Sequence, residues 1–66
     1  MHVIINGEAQ TLTDGVTIAA LITQLGLNQR RIAVELNREI VAREHYGARA
    51  LADGDHVEIV HFVGGG

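Results

Sequence analysis

The sequence predicts an α+β domain in which one main helix crosses one mixed sheet, and two features lead to this prediction. Short β-branched segments bounded by turn dipeptides lie on both sides of a single segment with helical periodicity. The chain also has only 66 residues, which is enough for one small hydrophobic core. Two strands, the helix, two strands and a final strand follow one another, an order that favours one helix packed on one sheet.

The chain is predicted to begin with a β-hairpin. Residues 2–5 are rich in β-branched side chains, and Asn6-Gly7 follows them. This dipeptide is the one best suited to the positive φ angles of a two-residue type I′ turn. The return strand is expected over residues 8–12, and Asp14-Gly15 supplies the next turn signal.

The helix is the clearest element of the sequence. Its apolar side chains recur at i, i+3, i+4 and i+7 and therefore share one helical face: Ile18, Leu21, Ile22 and Leu25. Thr17 is placed as the N-cap, Gly26 stands just past the C-terminus, and Leu27 can fold back on Ile22 as in a Schellman motif. With only about two and a half turns, the helix is expected to depend on packing against the sheet.

The second half of the chain supplies the remaining strands. Residues 32–36 alternate apolar with small or charged side chains, and Asn37-Arg38 is predicted to connect them tightly to a short segment at 39–41. Residues 43–52 show neither period and are interpreted as irregular chain with about one helical turn. Asp53-Gly54-Asp55 then marks a turn before the last strand, residues 56–63. Both four and five strands are consistent with the sequence around Val41.

The last strand carries apolar side chains on both faces. Strand side chains alternate, so Val57, Ile59 and Val63 share one face, whereas Val60 and Phe62 lie on the other. If the strand is central and the sheet is covered on both sides, all of them are buried. If only one side is covered, Val60 and Phe62 form an exposed apolar patch, which often marks a partner site.

Composition excludes several classes of function. The formal net charge is −3, and the five basic residues are all arginines that form no continuous run, so nucleic-acid binding is not indicated. There is no cysteine, hence no disulfide and no cysteine nucleophile. Lysine is also absent, so the chain offers no ε-amine on which to build polymers of itself. The apolar start at residues 3–5 is too short for a signal peptide or a membrane span, and a soluble cytoplasmic protein is expected.

Three glycines, Gly64, Gly65 and Gly66, end the chain directly after the predicted last strand. Glycine has no β-carbon and wide backbone freedom, so such a segment makes a slim, flexible arm able to enter a narrow channel. We therefore divide the chain into a folded domain, residues 1–63, and a flexible tail, residues 64–66.

Taken together, these features resemble the ThiS sulfur carriers of thiamin biosynthesis, ubiquitin-like β-grasp proteins related to MoaD. The matching segments are residues 33–37 (Ala-Val-Glu-Leu-Asn), residues 40–44 (Ile-Val-Ala-Arg-Glu), the Asp53-Gly54-Asp55 turn and the final strand leading into glycines. The similarity spans essentially the whole chain. Ala42 stands where the family often has proline, and Tyr46 where a bulky aromatic residue, frequently tryptophan, is expected.

The resemblance implies a carrier that is not itself an enzyme and that binds no cofactor or metal of its own. A ThiF-like adenylating enzyme would use ATP and magnesium to activate the carboxylate of Gly66. Sulfur from a separate donor protein would then convert it to a thiocarboxylate, and a ThiG-like thiazole synthase would receive that sulfur. Gly64 and Gly65 would lie in the active site of the partner.

The docking surface for such partners is predicted beside the tail. Val60, Phe62 and Val63 supply hydrophobic anchors of the kind that dominate interface energies, and Arg43 offers a salt bridge to an acidic partner. No metal site is expected: His56 and His61 are five residues apart in a strand and point to opposite faces. The chain has no serine or cysteine nucleophile for Glu44 and His45.

Three other functions are compatible with the sequence. A MoaD-like carrier would perform the same chemistry at Gly66 but pass its sulfur to a molybdopterin precursor. A protein modifier would form amide bonds with lysines of its targets. A noncovalent β-grasp adaptor would bind a partner through its sheet, and removal of its last two glycines would change nothing.

Overall fold

The structure is a computed structural model, and it describes residues 1–62. Two short 3-10 turns occur at Gln29–Arg31 and Arg43–His45. The helix and strands, in chain order, are β1 (His2–Ile5), β2 (Glu8–Thr11), α1 (Ile18–Gln24), β3 (Ile32–Leu36), β4 (Glu39–Val41) and β5 (His56–His61). Every predicted strand is present, and residues 39–41 form a strand of their own.

The five strands form one mixed sheet in the order β2-β1-β5-β3-β4. The first and last strands of the chain run parallel, with Ile5 opposite Val57, and all other neighbours are antiparallel. The predicted mixed α+β fold is thus confirmed with five strands rather than four. The last strand occupies the centre of the sheet, hydrogen-bonded to neighbours on both sides.

Both hairpin turns adopt the positive φ angles that type I′ turns require. Asn6 and Gly7 have φ values of 49° and 82°, and Asn37 and Arg38 have values of 52° and 72°. Asparagine and glycine tolerate this region of backbone space, whereas the left-handed conformation costs a residue such as Arg38 roughly 1–2 kcal/mol.

The helix is capped at both ends as its sequence predicts. The Thr17 side chain accepts a hydrogen bond from the Ala20 N–H at 3.1 Å. At the other end, the N–H groups of Gly26 and Leu27 donate to the carbonyls of Thr23 and Ile22, each at 3.0 Å. These two bonds define the Schellman motif.

Leu25 departs from the predicted helical face. It is the C-cap residue, where the chain begins to leave the helix, and it is 37% exposed rather than buried with the rest of the stripe.

The core lies between α1 and one face of the sheet. Ile18, Leu21 and Ile22 of the helix are each 1% exposed, and alternate residues of the strands pack beneath them. The buried core comprises Val3, Ile5, Val16, Ile18, Leu21, Ile22, Ile32, Val34, Leu36, Tyr46, Leu51, Val57 and Ile59. Tyr46, at the position where the resemblance leads us to expect a bulky aromatic residue, belongs to this core at 2% exposure.

The irregular segment after β4 is tied to the start of the helix. The N–H groups of Ile18 and Ala19 donate to the carbonyls of Arg49 and Tyr46, both at 3.0 Å. The first N–H groups of a helix have no partner within the helix. The segment therefore satisfies two of them while it closes one end of the core.

Candidate functional site

The candidate site is built on the end of β5, the strand that leads into the glycines. β5 pairs with β3 from Ile32–His61 to Leu36–Val57. Just beyond the strand, the Phe62 N–H still donates to the Arg31 carbonyl at 2.8 Å. The sequence predicts strand structure to Val63, whereas β5 ends at His61. Val63, Gly64, Gly65 and Gly66 lie outside the described residues, so their predicted roles stay predictions.

Two asparagine side chains extend the pairing of β5. Asn6 Oδ1 accepts from the Ile59 N–H at 2.7 Å, and Asn6 Nδ2 donates to the Ile59 carbonyl at 3.3 Å. Asn37 Oδ1 accepts from the His56 N–H at 2.9 Å, while Asn37 Nδ2 donates to an Asp55 carboxylate oxygen at 3.0 Å. The Asn6 side chain thereby takes the place that a backbone amide of a neighbouring strand would occupy, and the Asn37 side chain holds the first residue of β5. The central strand is thus fixed from both hairpin turns.

Val60 and Phe62 lie on the face of the sheet opposite the helix. They are 53% and 54% exposed, and Val60 pairs with Ala33 of β3. The strand is central, but α1 covers only one face of the sheet, so the alternative in which both faces are buried is wrong. Their exposure agrees with the prediction of an apolar patch beside the tail.

Ile40 belongs to the same exposed face, although the sequence does not single it out. It pairs with Glu35 and is 80% exposed, the largest exposed fraction among the large hydrophobic residues of the described chain. Its three-residue strand is too short for alternation to reveal which side chain faces outward.

Arg43 lies close to the end of β5, as the predicted docking surface requires. Its guanidinium Nη2 donates to the Arg30 carbonyl at 3.5 Å, and the neighbouring Arg31 carbonyl is the acceptor for Phe62. The 3-10 turn at Gln29–Arg31 brings these groups together. Arg30, Arg31 and Arg43 are all exposed and form a basic margin near the last described residues. This grouping was not predictable from sequence, because Arg43 lies 13 residues from Arg30 along the chain.

Among the described residues, the other titratable groups form no site with the spacing of a metal centre. Residues 1–62 contain no group of three or more histidine, cysteine, aspartate or glutamate side chains able to hold an ion. His56 and His61 lie on opposite faces of β5, as alternation predicts. His2 Nδ1 lies 3.9 Å from the Asp53 carboxylate, at an exposed position. Within the same residues, no helix is long and apolar enough to cross a membrane.

Comparisons with known proteins agree with one another. The profile of the ThiS family matches residues 3–66. The chain is 30% identical over 66 residues to the sulfur carrier protein ThiS of Escherichia coli, with 100% of both chains covered. A thiazole synthase of Paramagnetospirillum magneticum is 46% identical over all 66 residues, but the chain spans only 20% of that protein's length.

A solved structure has the same fold. The crystal structure of the thiamine biosynthesis protein ThiS from Geobacter metallireducens superimposes with a TM-score of 0.86 at 35% identity, covering 100% of both chains. The match to a ThiS structure confirms the expected fold.

Proposed function

The chain belongs to the ThiS family, and we propose that it is the sulfur carrier of thiamine biosynthesis, with its sulfur held as a thiocarboxylate on Gly66. The observation that carries this proposal is the extent of the match. The family profile extends to residue 66, so it includes the glycines as well as the folded part. In this role residues 1–63 present residues 64–66 to partner enzymes.

The structure at the end of β5 supports these separate roles for residues 1–63 and residues 64–66. Hydrogen bonds fix the chain up to Phe62, and Gly66 is four residues further along the chain. A chain of four residues reaches at most about 14 Å. A partner that acts on Gly66 must therefore contact the body near the end of β5, where Phe62 and Arg43 lie.

The chemistry at Gly66 proceeds in two steps. A carboxylate is a poor electrophile, so a ThiF-like enzyme first uses ATP and magnesium to form the acyl adenylate and release pyrophosphate. Sulfur that a donor protein delivers at the sulfide level (HS⁻) then attacks the acyl carbon and displaces AMP, and loss of the S–H proton leaves the thiocarboxylate. A donor that carries its sulfur as a persulfide also requires a thiol reductant to break the S–S bond. The chain supplies only the carboxylate, and the catalytic groups and the magnesium site belong to the partner.

Thiazole synthase is the proposed acceptor. Two thiazole synthases, from Paramagnetospirillum magneticum and Magnetococcus marinus, contain a region similar to the whole of this chain at 46% and 41% identity. A carrier region within the same polypeptide as the synthase supports direct transfer between the two. The noncovalent adaptor requires no such arrangement.

Intact-mass measurement tests the proposal. The chain ending at Gly66 is incubated with its cognate adenylating enzyme, ATP and a sulfur source, and a gain equal to the replacement of one oxygen by sulfur is expected. The same chain without Gly66 is the control and should show no gain. An unchanged mass, with an adenylating enzyme active on another carrier, contradicts the proposal and favours the adaptor.

A further inference from the structure

The turn between β1 and β2 combines a structural role with a reactive dipeptide. Asparagine is among the thermolabile residues of proteins, and it reacts most readily when glycine follows it. The backbone nitrogen of the glycine then attacks the side-chain amide carbon of the asparagine and closes a five-membered succinimide ring. A side chain on the second residue obstructs this approach, whereas glycine has no β-carbon. Asn6-Gly7 is the only Asn-Gly pair in the chain.

The surroundings of this turn leave room for the reaction. Asn6 and Gly7 are both exposed, and a β-carbon at Gly7 would meet no atom within 4 Å. Water therefore reaches the pair from outside the domain. The other two asparagines of the chain, Asn28 and Asn37, precede glutamine and arginine, whose side chains hinder ring closure. Asn6 is thus the most reactive asparagine that the sequence offers.

The fold restrains the same side chain. Asn6 Oδ1 accepts from the Ile59 N–H at 2.7 Å, and Asn6 Nδ2 donates to the Ile59 carbonyl at 3.3 Å. Ring closure requires the amide carbon to come within bonding distance of the Gly7 nitrogen, so the side chain must rotate and release both hydrogen bonds to β5. Their loss slows the reaction in the folded chain on the order of tenfold or more.

We propose that Asn6 is a deamidation site which the fold protects through Ile59, and that its conversion weakens the attachment of β5. The Gly7 nitrogen forms a bond to Asn6 Cγ and displaces ammonia. Water then opens the succinimide at either of its two carbonyls, which yields aspartate or isoaspartate. One water is consumed and one ammonia is released, with no oxidation or reduction and no need for an enzyme.

Both products disturb the contact with Ile59. Aspartate keeps an oxygen that accepts from the Ile59 N–H, but a carboxylate oxygen replaces the donor Nδ2, and an ionised carboxylate has nothing to donate to the Ile59 carbonyl. Isoaspartate adds a methylene group to the main chain inside a two-residue turn whose length fixes the register of β1 and β2. Because β5 is the central strand, both changes destabilise the whole sheet.

The reaction therefore selects chains that have opened. An unfolded chain is open to chemical modification, and in this chain the modification is irreversible and removes part of what holds the folded state together. A chain that has been converted once unfolds more readily afterwards. The inference goes beyond the carrier role, because it concerns the lifetime of the folded domain and involves no partner enzyme.

Peptide mapping by mass spectrometry measures conversion at each site. The full chain is incubated at mildly alkaline pH, once folded and once unfolded in urea, and the mass gain from replacement of one NH group by oxygen is followed. In urea, Asn6 should convert on the order of tenfold faster than Asn28 and Asn37. In the folded chain, Asn6 should convert on the order of tenfold or more slowly than in urea. A synthetic peptide of residues 3–10, incubated with and without urea, corrects for any effect of urea on the reaction itself.

Gly7→Ala is the matched control for the chemistry. Gly7 has a φ of 82° in the folded turn, which strains alanine, so this variant is measured in urea, where the turn is absent. Conversion of Asn6 should slow on the order of tenfold. Equal rates for Gly7→Ala and the wild type in urea overturn the assignment of the reactive pair. Equal rates for the folded and unfolded wild type overturn the protection by Ile59.

Urea unfolding of the products tests the effect on β5. Chromatography separates the aspartate and isoaspartate forms from the unconverted chain, and Asn6→Asp supplies the aspartate form independently. Both forms should unfold at a lower urea concentration than the wild type. Unfolding of both forms at the wild-type urea concentration overturns the proposed effect on the central strand. None of these measurements depends on whether Gly66 accepts sulfur, so the proposed function is tested separately.

Discussion

Replacement of Asn6 by glycine tests how the central strand is held. Asn6 has a φ of 49°, which glycine adopts without strain, so Asn6→Gly preserves the turn and removes only the side chain. That side chain makes two hydrogen bonds to the Ile59 backbone, at 2.7 and 3.3 Å. At about 0.5–1.5 kcal/mol for each bond, the expected loss is roughly 1–3 kcal/mol.

Such a loss is a large part of the stability of this chain. At roughly 0.05–0.15 kcal/mol per residue, a chain of this length has a free energy of unfolding of about 3–10 kcal/mol. Urea unfolding followed by circular dichroism gives the change directly. Each kcal/mol lost should also lower Tm by roughly 4–8 °C. The Ile59 amide, which donates to Asn6 in the wild type, should exchange with deuterium faster in the variant.

Arg38→Gly is the matched control for this change. Arg38 occupies the second position of the other hairpin turn, with a φ of 72°, and its side chain makes no hydrogen bond within the described residues. Glycine there relieves the left-handed strain, so this variant should be neutral or more stable. If Asn6→Gly unfolds at the same urea concentration as Arg38→Gly, the side-chain bonds contribute nothing and the reasoning is refuted.

Three further predictions concern the cap, the tail and the basic margin. Thr17→Ala should lower the free energy of unfolding by about 1 kcal/mol in urea titration, because it removes the N-cap bond to Ala20, while Thr13→Ala changes little. Gly65→Ala is expected to abolish the mass gain at Gly66, since a β-carbon obstructs the channel and the neighbouring carbonyl. Its urea unfolding should match that of the wild type, and normal sulfur loading would contradict this role of the tail. Arg43→Glu should raise KM for adenylation severalfold through repulsion of an acidic partner surface, whereas an equal rise with Arg49→Glu would show that the position is not specific.

Local signals made most of the elements predictable from sequence. The Asn6-Gly7 and Asn37-Arg38 turns, the Thr17 cap and the Schellman ending depend on residues within a few positions of one another. Each of these signals constrains backbone angles directly. They therefore determine where the helix and the neighbouring strands begin and end. The alternation of residues 32–36 gave β3 with its bounds unchanged.

Long-range pairing was not predictable in the same way. Nothing near Ile5 or Val57 specifies that these residues lie side by side in parallel strands. The Asn6 side chain also bonds to Ile59, 53 residues away along the chain. This bond was not predictable, because the Asn6-Gly7 turn already explains an asparagine at position 6. The exposure of Leu25 and Ile40 likewise depends on where the helix ends and which sheet face it covers.

The same long-range pairing explains how a small domain can present its last residues in a defined position. An edge strand has one neighbour, but β5 has β1 on one side and β3 on the other, and Asn6 and Asn37 bind its backbone from both turns. Removal of β5 would divide the sheet in two, so its exit point can shift only if most of the fold shifts with it. A chain of four residues reaches at most about 14 Å, so the distance from Phe62 to Gly66 is short. The fold fixes the position of Phe62, from which this distance is measured. A partner that binds the domain beside the end of β5 therefore has the proposed reactive carboxylate of Gly66 within about 14 Å of that contact.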